Sequence, residues 1–365
     1  MFHRIRTLVI KELQALLRDR QSRRLLIMPV IMQLVLFPSA ATLEVRNNTL
    51  AVFNRDSGAE SAELIQRFGQ AAAFTELLIL DSQEEMREVI DNRRALLVLQ
   101  FSEDFSRDLA AGRSTTIQAI LDGRRSNSGQ IALSYIQEII AHYAAERAAV
   151  TPPSTTIVRH WFNPNLQYQW FIVPSLVAII TTVSTLVVTS LSVAREREQG
   201  TFDQLLVSPY TPGMIMLGKA VPAFLVSTAQ ATIILSAGIF VYRIPFQGSL
   251  ALLYGSMFFY ILALVGFGLL ISSFCATQQQ AFLGVFTFMM PAVLLSGFIA
   301  PVENMPPWLQ IVTWGDPLRY FIVIVKGIFL KDIGIEAVLR NIWPLMVIAM
   351  FTLAVANLAF RRRLG

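Results

Sequence analysis

Residue types that usually carry chemistry are sparse in this sequence. One cysteine, Cys275, and three histidines, His3, His142 and His160, are spread over 365 residues. Cys275 lies inside an apolar run and can form no disulfide within the chain. The histidines show no metal-ligand spacing. A phosphate-binding loop is approached once, at Gly213-Met-Ile-Met-Leu-Gly218-Lys219-Ala220. Its glycine and lysine spacing matches, but Ala220 stands where a Ser or Thr would hold magnesium, and no strand precedes it. The run leads straight into an apolar segment, so it reads as a span entrance with a snorkelling lysine. Neither a nucleophile elbow nor an HExxH motif occurs. The expectation is a chain with no catalytic residue, no bound cofactor and no metal site of its own.

The informative stretch is built for docking rather than bond-making. Residues 194–209 read Ala-Arg-Glu-Arg-Glu-Gln-Gly-Thr-Phe-Asp-Gln-Leu-Leu-Val-Ser-Pro. Thr201 and Gln204 have the spacing of a capping box, with Gly200 before them as a flexible joint. Phe202, Leu205 and Leu206 then form an apolar face at i, i+3, i+4, and Pro209 ends the turn. So short a helix is marginal alone in water and needs a surface to pack on. Arg195, Glu196, Arg197 and Glu198 put mixed charge beside it. An apolar knob with a charged collar suits a partner's groove; a loop collapsed on its own protein is the alternative.

The elements around this stretch read as membrane spans. Of the whole chain 54% is hydrophobic and only 15% charged, and mean hydropathy is +0.53. A soluble domain of this size carries about a quarter charged residues. Net charge is +5, but the basic residues sit at the chain ends and in one loop without interleaved aromatics, which argues against nucleic-acid binding. Residues 2–20 form an amphipathic helix: Ile5, Leu8, Val9, Leu13, Leu16 and Leu17 share one stripe, and Arg4, Lys11, Gln14 and Arg18 lie elsewhere. Residues 25–42 are apolar enough to span. A charged leader of about 24 residues is too long for a cleaved signal peptide, which favours an uncleaved anchor. Further spans are expected at 170–194, 220–242, 250–275, 281–300 and 341–360, making six.

Residues 44–168 differ in character. Strands are expected at 50–53, 75–80, 95–101 and 115–121, and helices at 59–73, 83–93, 103–111 and 126–146. That alternation predicts a small α/β domain inserted between the first and second spans of a polytopic α-helical membrane protein. The segments are then 1–24 amphipathic helix, 25–43 first span, 44–168 external domain, 169–300 spans two to five, 301–340 external segment and 341–365 last span. Both termini placed in the cytoplasm put most Lys and Arg of the short segments on the inside. Trp161, Trp170, Trp308 and Trp314 then fall near the outer interface. Within 301–340, Asp316-Pro317 opens an apolar helix of about a dozen residues, too short to span but right for a re-entrant or interfacial hairpin. A gating role and a purely interfacial one are both open. No span holds an ionisable residue away from its ends, as proton- or ion-coupled carriers usually need, so if the chain is a transporter its energy has to enter from outside the bilayer.

The stretch from Arg195 to Pro209 resembles the coupling-helix loop of ABC-2 type permeases. Residues 295–310, Leu-Ser-Gly-Phe-Ile-Ala-Pro-Val-Glu-Asn-Met-Pro-Pro-Trp-Leu-Gln, and the later Pro317-Leu-Arg-Tyr-Phe and Lys326-Gly-Ile-Phe-Leu-Lys331 are similar to a second signature of that family. The likeness covers essentially the whole chain. It implies the permease subunit of an exporter for amphiphilic drugs or lipid-like compounds, in the bacterial inner membrane. It also implies a separate ATPase subunit that binds ATP and magnesium, and a second permease half, identical or paralogous. A periplasmic adaptor and an outer-membrane channel are further partners by the same likeness. Residues 200–209 would be the coupling helix, with Glu196, Glu198, Gly200, Thr201, Phe202, Leu205 and Leu206 contacting or positioning the ATPase. The second and fifth spans would line the path, with candidates Thr182, Thr185 and Thr189 on one and Phe286, Met289 and Met290 on the other. Hydroxyl-mediated helix packing and plain apolar filling are the competing explanations for those six. A membrane-anchored sensor or assembly factor with a periplasmic ligand-binding domain is the alternative function.

Overall fold

The computed structural model describes residues 2–40, 48–71, 74–92, 94–121, 126–147, 163, 167–201 and 210–364. They fall into two compact units, Thr42–Arg159 and a second made of Met1–Ala41 with His160–Gly365.

The smaller unit is α/β. Its elements are β1 (Asn48–Asn54), α3 (Ala59–Gln70), β2 (Phe74–Leu80), α4 (Gln83–Asp91), β3 (Leu97–Phe101), α5 (Phe105–Ala110), β4 (Ile117–Leu121) and α6 (Ser126–Arg147). These lie within a few residues of the expected strands and helices. The sheet order is β2-β1-β3-β4. β1 pairs in parallel with β2 and β3, and β4 is antiparallel to β3. Leu50, Ala51 and Val52 are fully buried, as a central strand covered on both faces requires. Leu50 and Val52 pack with Leu64 and Phe68 of α3 and Ile136 of α6. Ala51 and Val98 pack with Met86 and Val89 of α4 on the opposite face. Ser82 caps α4 by accepting from Glu85 N at 3.2 Å, while Glu85 accepts from Asp81 N at 2.9 Å. Tyr143 fastens α6 to α3. The guanidinium groups of Arg67 and Arg147 lie 5.0 and 4.9 Å from its ring centroid, and its hydroxyl donates to Glu60.

The larger unit is helical. It comprises α1 (Phe2–Arg18), α2 (Arg20–Ala40), α7 (Tyr168–Glu198), α8 (Pro212–Phe240), α9 (Leu250–Phe274), α10 (Gln278–Leu295), α11 (Pro307–Val312), α12 (Pro317–Lys331) and α13 (Ile335–Leu364). Among the described residues, five helices are long and apolar enough to cross a membrane: Tyr168–Glu198, Gly213–Phe240, Leu250–Phe274, Gln278–Leu295 and Ile335–Ala359. The chain is thus a mostly helical membrane protein. The first expected span is less than was anticipated. The apolar part of α2 covers only Leu26–Pro38, and residues 41–43 lie outside the described residues. The last helix starts at Ile335, six residues before the expected 341, because α12 closes at Asp332 in a left-handed turn and the chain re-enters helix at once.

α7 is the central post, touching α2, α8, α9, α10 and α12. Its side chains are buried almost all round, so it has no polar face and no periodic apolar stripe. Close approach comes from glycines: a side chain at Gly268 or Gly266 would run into Thr189 of α7 or Thr352 of α13. Asp316 caps α12 by accepting from Leu318 N at 3.0 Å, with Pro317 in the first turn, as the sequence predicts.

Candidate functional site at the end of α7

The last turn of α7 is where the larger unit gathers its charge. Ser192 and Glu196 sit one turn apart and so share a face. Against that face stands Lys219 of α8, which is 3% exposed. Its ammonium donates to Glu196 Oε2 at 2.8 Å, Ser192 Oγ at 2.9 Å and Glu12 Oε1 at 3.1 Å. Ser192 Oγ donates to Glu12 Oε2 at 2.7 Å, and Lys11 Nζ reaches Glu196 Oε1 at 2.7 Å. Two ammonium groups and two carboxylates therefore balance in a network that joins α1, α7 and α8. Glu12 occupies the middle of the buried stripe of α1, between Leu8 and Leu16. α1 can come this close because Gly218 has no side chain; a Cβ there would stand 2.9 Å from Leu8 Cβ.

The next two residues grip other helices. Arg197 Nη1 donates to the carbonyls of Ser272, Ser273 and Cys275 at 3.2, 3.0 and 3.0 Å. These carbonyls lie at the C-terminal end of α9, where a cation is favoured. Glu198 Oε2 accepts from Gln278 N at 3.1 Å and from Gln278 Nε2 at 3.0 Å. Here an anion meets the first backbone N–H of α10, the complementary end of a helix dipole. Three consecutive side chains thus bind α1 with α8, then α9, then α10.

α7 then stops in a defined way. Gly200 N donates to Arg197 O at 3.0 Å and Thr201 N to Glu196 O at 2.9 Å, with Gly200 at φ +68°. This pair of bonds is a Schellman closure, and the left-handed residue is glycine because a Cβ is disfavoured there. Gly200 is therefore the left-handed residue that closes α7. The expected coupling helix itself, with Phe202, Leu205 and Leu206, lies outside the described residues.

Lys219 differs from its expected role. It does not snorkel: α1 covers it and supplies Glu12, so all three ammonium donors are taken by protein oxygens. The neighbouring Thr211 uses its hydroxyl to cap α8, accepting from Met214 N at 3.4 Å. The P-loop lookalike is thereby accounted for as a helix start followed by a buried ion cluster.

The six path candidates are placed apart. Thr182, Thr185 and Thr189 are buried within the chain. Thr182 bonds Tyr260 of α9, Thr185 lies 2.8 Å from Ser227 Oγ of α8, and Thr189 donates to Thr185 O at 2.6 Å. On α10, Phe286 and Met290 are exposed and Met289 is half-buried. Those two sets do not meet within one chain.

Sequence reasoning named Glu196 and Glu198 but missed Lys11 and Lys219 as the partners of Glu196, Gln278 as the partner of Glu198, and the parts played by Glu12, Ser192 and Arg197. One signal was available: Leu8, Glu12 and Leu16 recur every fourth residue, which puts a carboxylate inside an apolar stripe.

Comparison with known proteins agrees with this architecture. The family model described as "ABC-2 family transporter protein" matches residues 25–358. The chain is 57% identical over 366 residues to "Probable multidrug ABC transporter permease YbhR" of Escherichia coli (strain K12), covering 100% of both chains. It is 26% identical over 370 residues to "Probable multidrug ABC transporter permease YbhS" of the same strain, covering 100% of this chain and 98% of that one. To "Inner membrane transport permease YhhJ", also from that strain, it is 27% identical over 366 residues, with 98% and 96% covered. With a family match over most of its length and a relative this similar end to end, the chain belongs to the ABC-2 family of transporters.

Proposed function

We propose that this chain is the permease half of an ATP-driven exporter and moves amphiphilic drugs or lipid-like compounds out of a bacterial inner membrane. A separate ATPase subunit, carrying ATP and magnesium, docks on residues 202–209, and its closure is passed to the helices through the end of α7. The observation that carries this reading is the triple grip of Glu196, Arg197 and Glu198 directly before the docking segment. A push on residues 202–209 meets no slack: it is delivered at once to α1, α8, α9 and α10. Relatives named as multidrug permeases support the cargo class.

In this reading α2 with residues 41–43 makes the sixth span, both termini are cytoplasmic, and the α/β unit is periplasmic. That unit meets a periplasmic adaptor and an outer-membrane channel. The outward apolar face of α10, with Phe286 and Met290, meets a second permease half, and the path runs beside it. Thr182, Thr185 and Thr189 serve it indirectly, by holding α7 against α8 and α9.

Co-purification tests the docking claim. Leu205→Asp with Leu206→Asp should release the ATPase from a permease that still elutes as a folded membrane protein. ATPase retained at full stoichiometry would refute it.

A further inference from the structure

A cavity of about 320 Å³ lies among Ser296, Gly297, Glu303, Arg319, Lys326 and Asn341. Ser296 follows the last residue of α10, and Asn341 is in the second turn of α13. Both helices are long and apolar enough to cross a membrane, so the cavity sits where two such helices reach the bilayer surface. Exposed tryptophans in the neighbouring chain segments agree with that depth. Trp308, Trp314 and Trp343 are 66%, 66% and 63% exposed, and exposed indoles collect at headgroup level.

The charges of the lining are unevenly used. Arg319 and Lys326 are seven residues apart on α12, two turns along one face. Arg319 commits one nitrogen to Thr313 Oγ1, which leaves most of its five N–H donors. Lys326 is half-buried, with its ammonium 3.5 Å from the centroid of the Phe171 ring. No carboxylate or carbonyl among the described residues pairs with it, although its neighbours in the cavity include polar groups. A partly buried ammonium without an anion is a costly arrangement unless a ligand completes it. Glu303 is the single acid of the lining.

We propose that this cavity binds a phosphate group carried by a phospholipid headgroup, with Arg319 and Lys326 on the phosphate oxygens and Glu303 receiving a headgroup amine. Two cations beside one anion are the complement of phosphoethanolamine. The volume is at the low end of ligand pockets, which run from about 300 to about 1,000 Å³. It holds a headgroup while leaving the acyl chains in the bilayer. The site stands independently of the transport function proposed above.

The test uses the full-length permease, purified in detergent, delipidated and titrated with dihexanoyl phosphatidylethanolamine or with inorganic phosphate under native mass spectrometry. Wild type should bind the phospholipid at one site per chain, and inorganic phosphate much more weakly. Lys326→Met and Arg319→Gln should each weaken phospholipid binding about tenfold or more, as loss of a charge-assisted hydrogen bond does. Lys326→Arg should retain it. Glu303→Gln should lower affinity for phosphatidylethanolamine and leave phosphatidic acid unchanged, a selectivity change that misfolding does not produce. Unchanged binding in Lys326→Met and Arg319→Gln would overturn the site. Inorganic phosphate binding as tightly as the phospholipid would overturn the lipid as its occupant.

Discussion

Lys219 Nζ lies 2.8 Å from Glu196 Oε2 and 3.1 Å from Glu12 Oε1, so one ammonium on α8 ties the end of α7 to the amphipathic α1. Each of the three groups is almost wholly buried. α1 is therefore a structural member of the helical unit. Its amphipathic stripe has a charged centre, and that centre fixes its rotation about its own axis. A purely apolar stripe would allow α1 to roll or slide; a carboxylate that must meet Lys219 and Ser192 does not.

Breaking that network from the Lys219 side should be severe. Lys219→Met leaves two buried carboxylates facing each other, and loss of one partner from a buried pair costs about 3–5 kcal/mol. Removing both charges with Lys219→Met and Glu12→Leu should recover much of the loss, because Glu196 keeps Lys11 at 2.7 Å. Thermal unfolding of the detergent-purified permease measures both. A single variant as stable as wild type would show that the cluster is not a stabilising joint.

Gly200 offers a cleaner probe, since among the described residues no atom beyond its chain neighbours lies within 4 Å of where its Cβ would be. Gly200→Ala should cost only backbone strain, about 1–2 kcal/mol for a left-handed residue. Gly200→Asn should cost less, because asparagine tolerates that region better than alanine does. The expected outcome is an ATPase that still binds and hydrolyses, with less cargo moved per ATP in Gly200→Ala than in Gly200→Asn. Equal transport per ATP in the two variants would mean that the bend at Gly200 plays no part in coupling.

How much of this was legible follows from what kind of signal each element sends. The α/β unit was readable because β1 is a continuous apolar run and α4 is amphipathic with a cap at Ser82, both local patterns. α12 announced itself through Asp316-Pro317 for the same reason. The ion cluster was not readable, because Glu12, Ser192 and Lys219 are brought together only by tertiary packing. Lys219 in particular looks the same in sequence whether it reaches for water or for a buried carboxylate. The hydroxyls of α7 were ambiguous in another way: Thr182 and Thr185 have the same spacing whether they face a path or a neighbouring helix. Only Tyr260 and Ser227 decide that they face helices.

Acid should loosen the α/β unit first between α3 and α6. The Tyr143 hydroxyl bond and then the Arg147 guanidinium hold Glu60 below the ordinary glutamate range. Arg67 and Arg147 do the same for Glu63. A carboxylate with a lowered folded pKa contributes fully above its unfolded value and loses that contribution as pH falls through the folded one. The loss therefore belongs below about pH 4.5, and nothing should change between pH 6 and 8. Hydrogen exchange on the full-length protein should show early loss of protection in Ser126–Arg147 as pH is lowered, and Glu60→Gln should show it already at pH 7. Protection of α6 that does not depend on pH would remove this clamp from the account.

The outward face of α10 predicts where a second permease half sits. Leu283, Phe286, Met290 and Leu294 are all exposed, and they recur at helical spacing along one side. Exposed apolar residues also occur on α13, at Met350 and Phe351. Lipid can cover either face, so exposure alone does not separate them. The difference is position in the fold: α10 packs on the central α7, whereas α13 packs on α9 and α12, further from that post. A path between halves that is driven from the end of α7 has to run beside α10. Photo-reactive benzoylphenylalanine in place of Phe286 should therefore capture another permease chain in intact membranes, while the same probe in place of Phe351 should capture none. The mass of the captured chain identifies it as a second copy or a paralogue. Capture at 351 without capture at 286 would put the other half on the wrong side of the molecule for this mechanism.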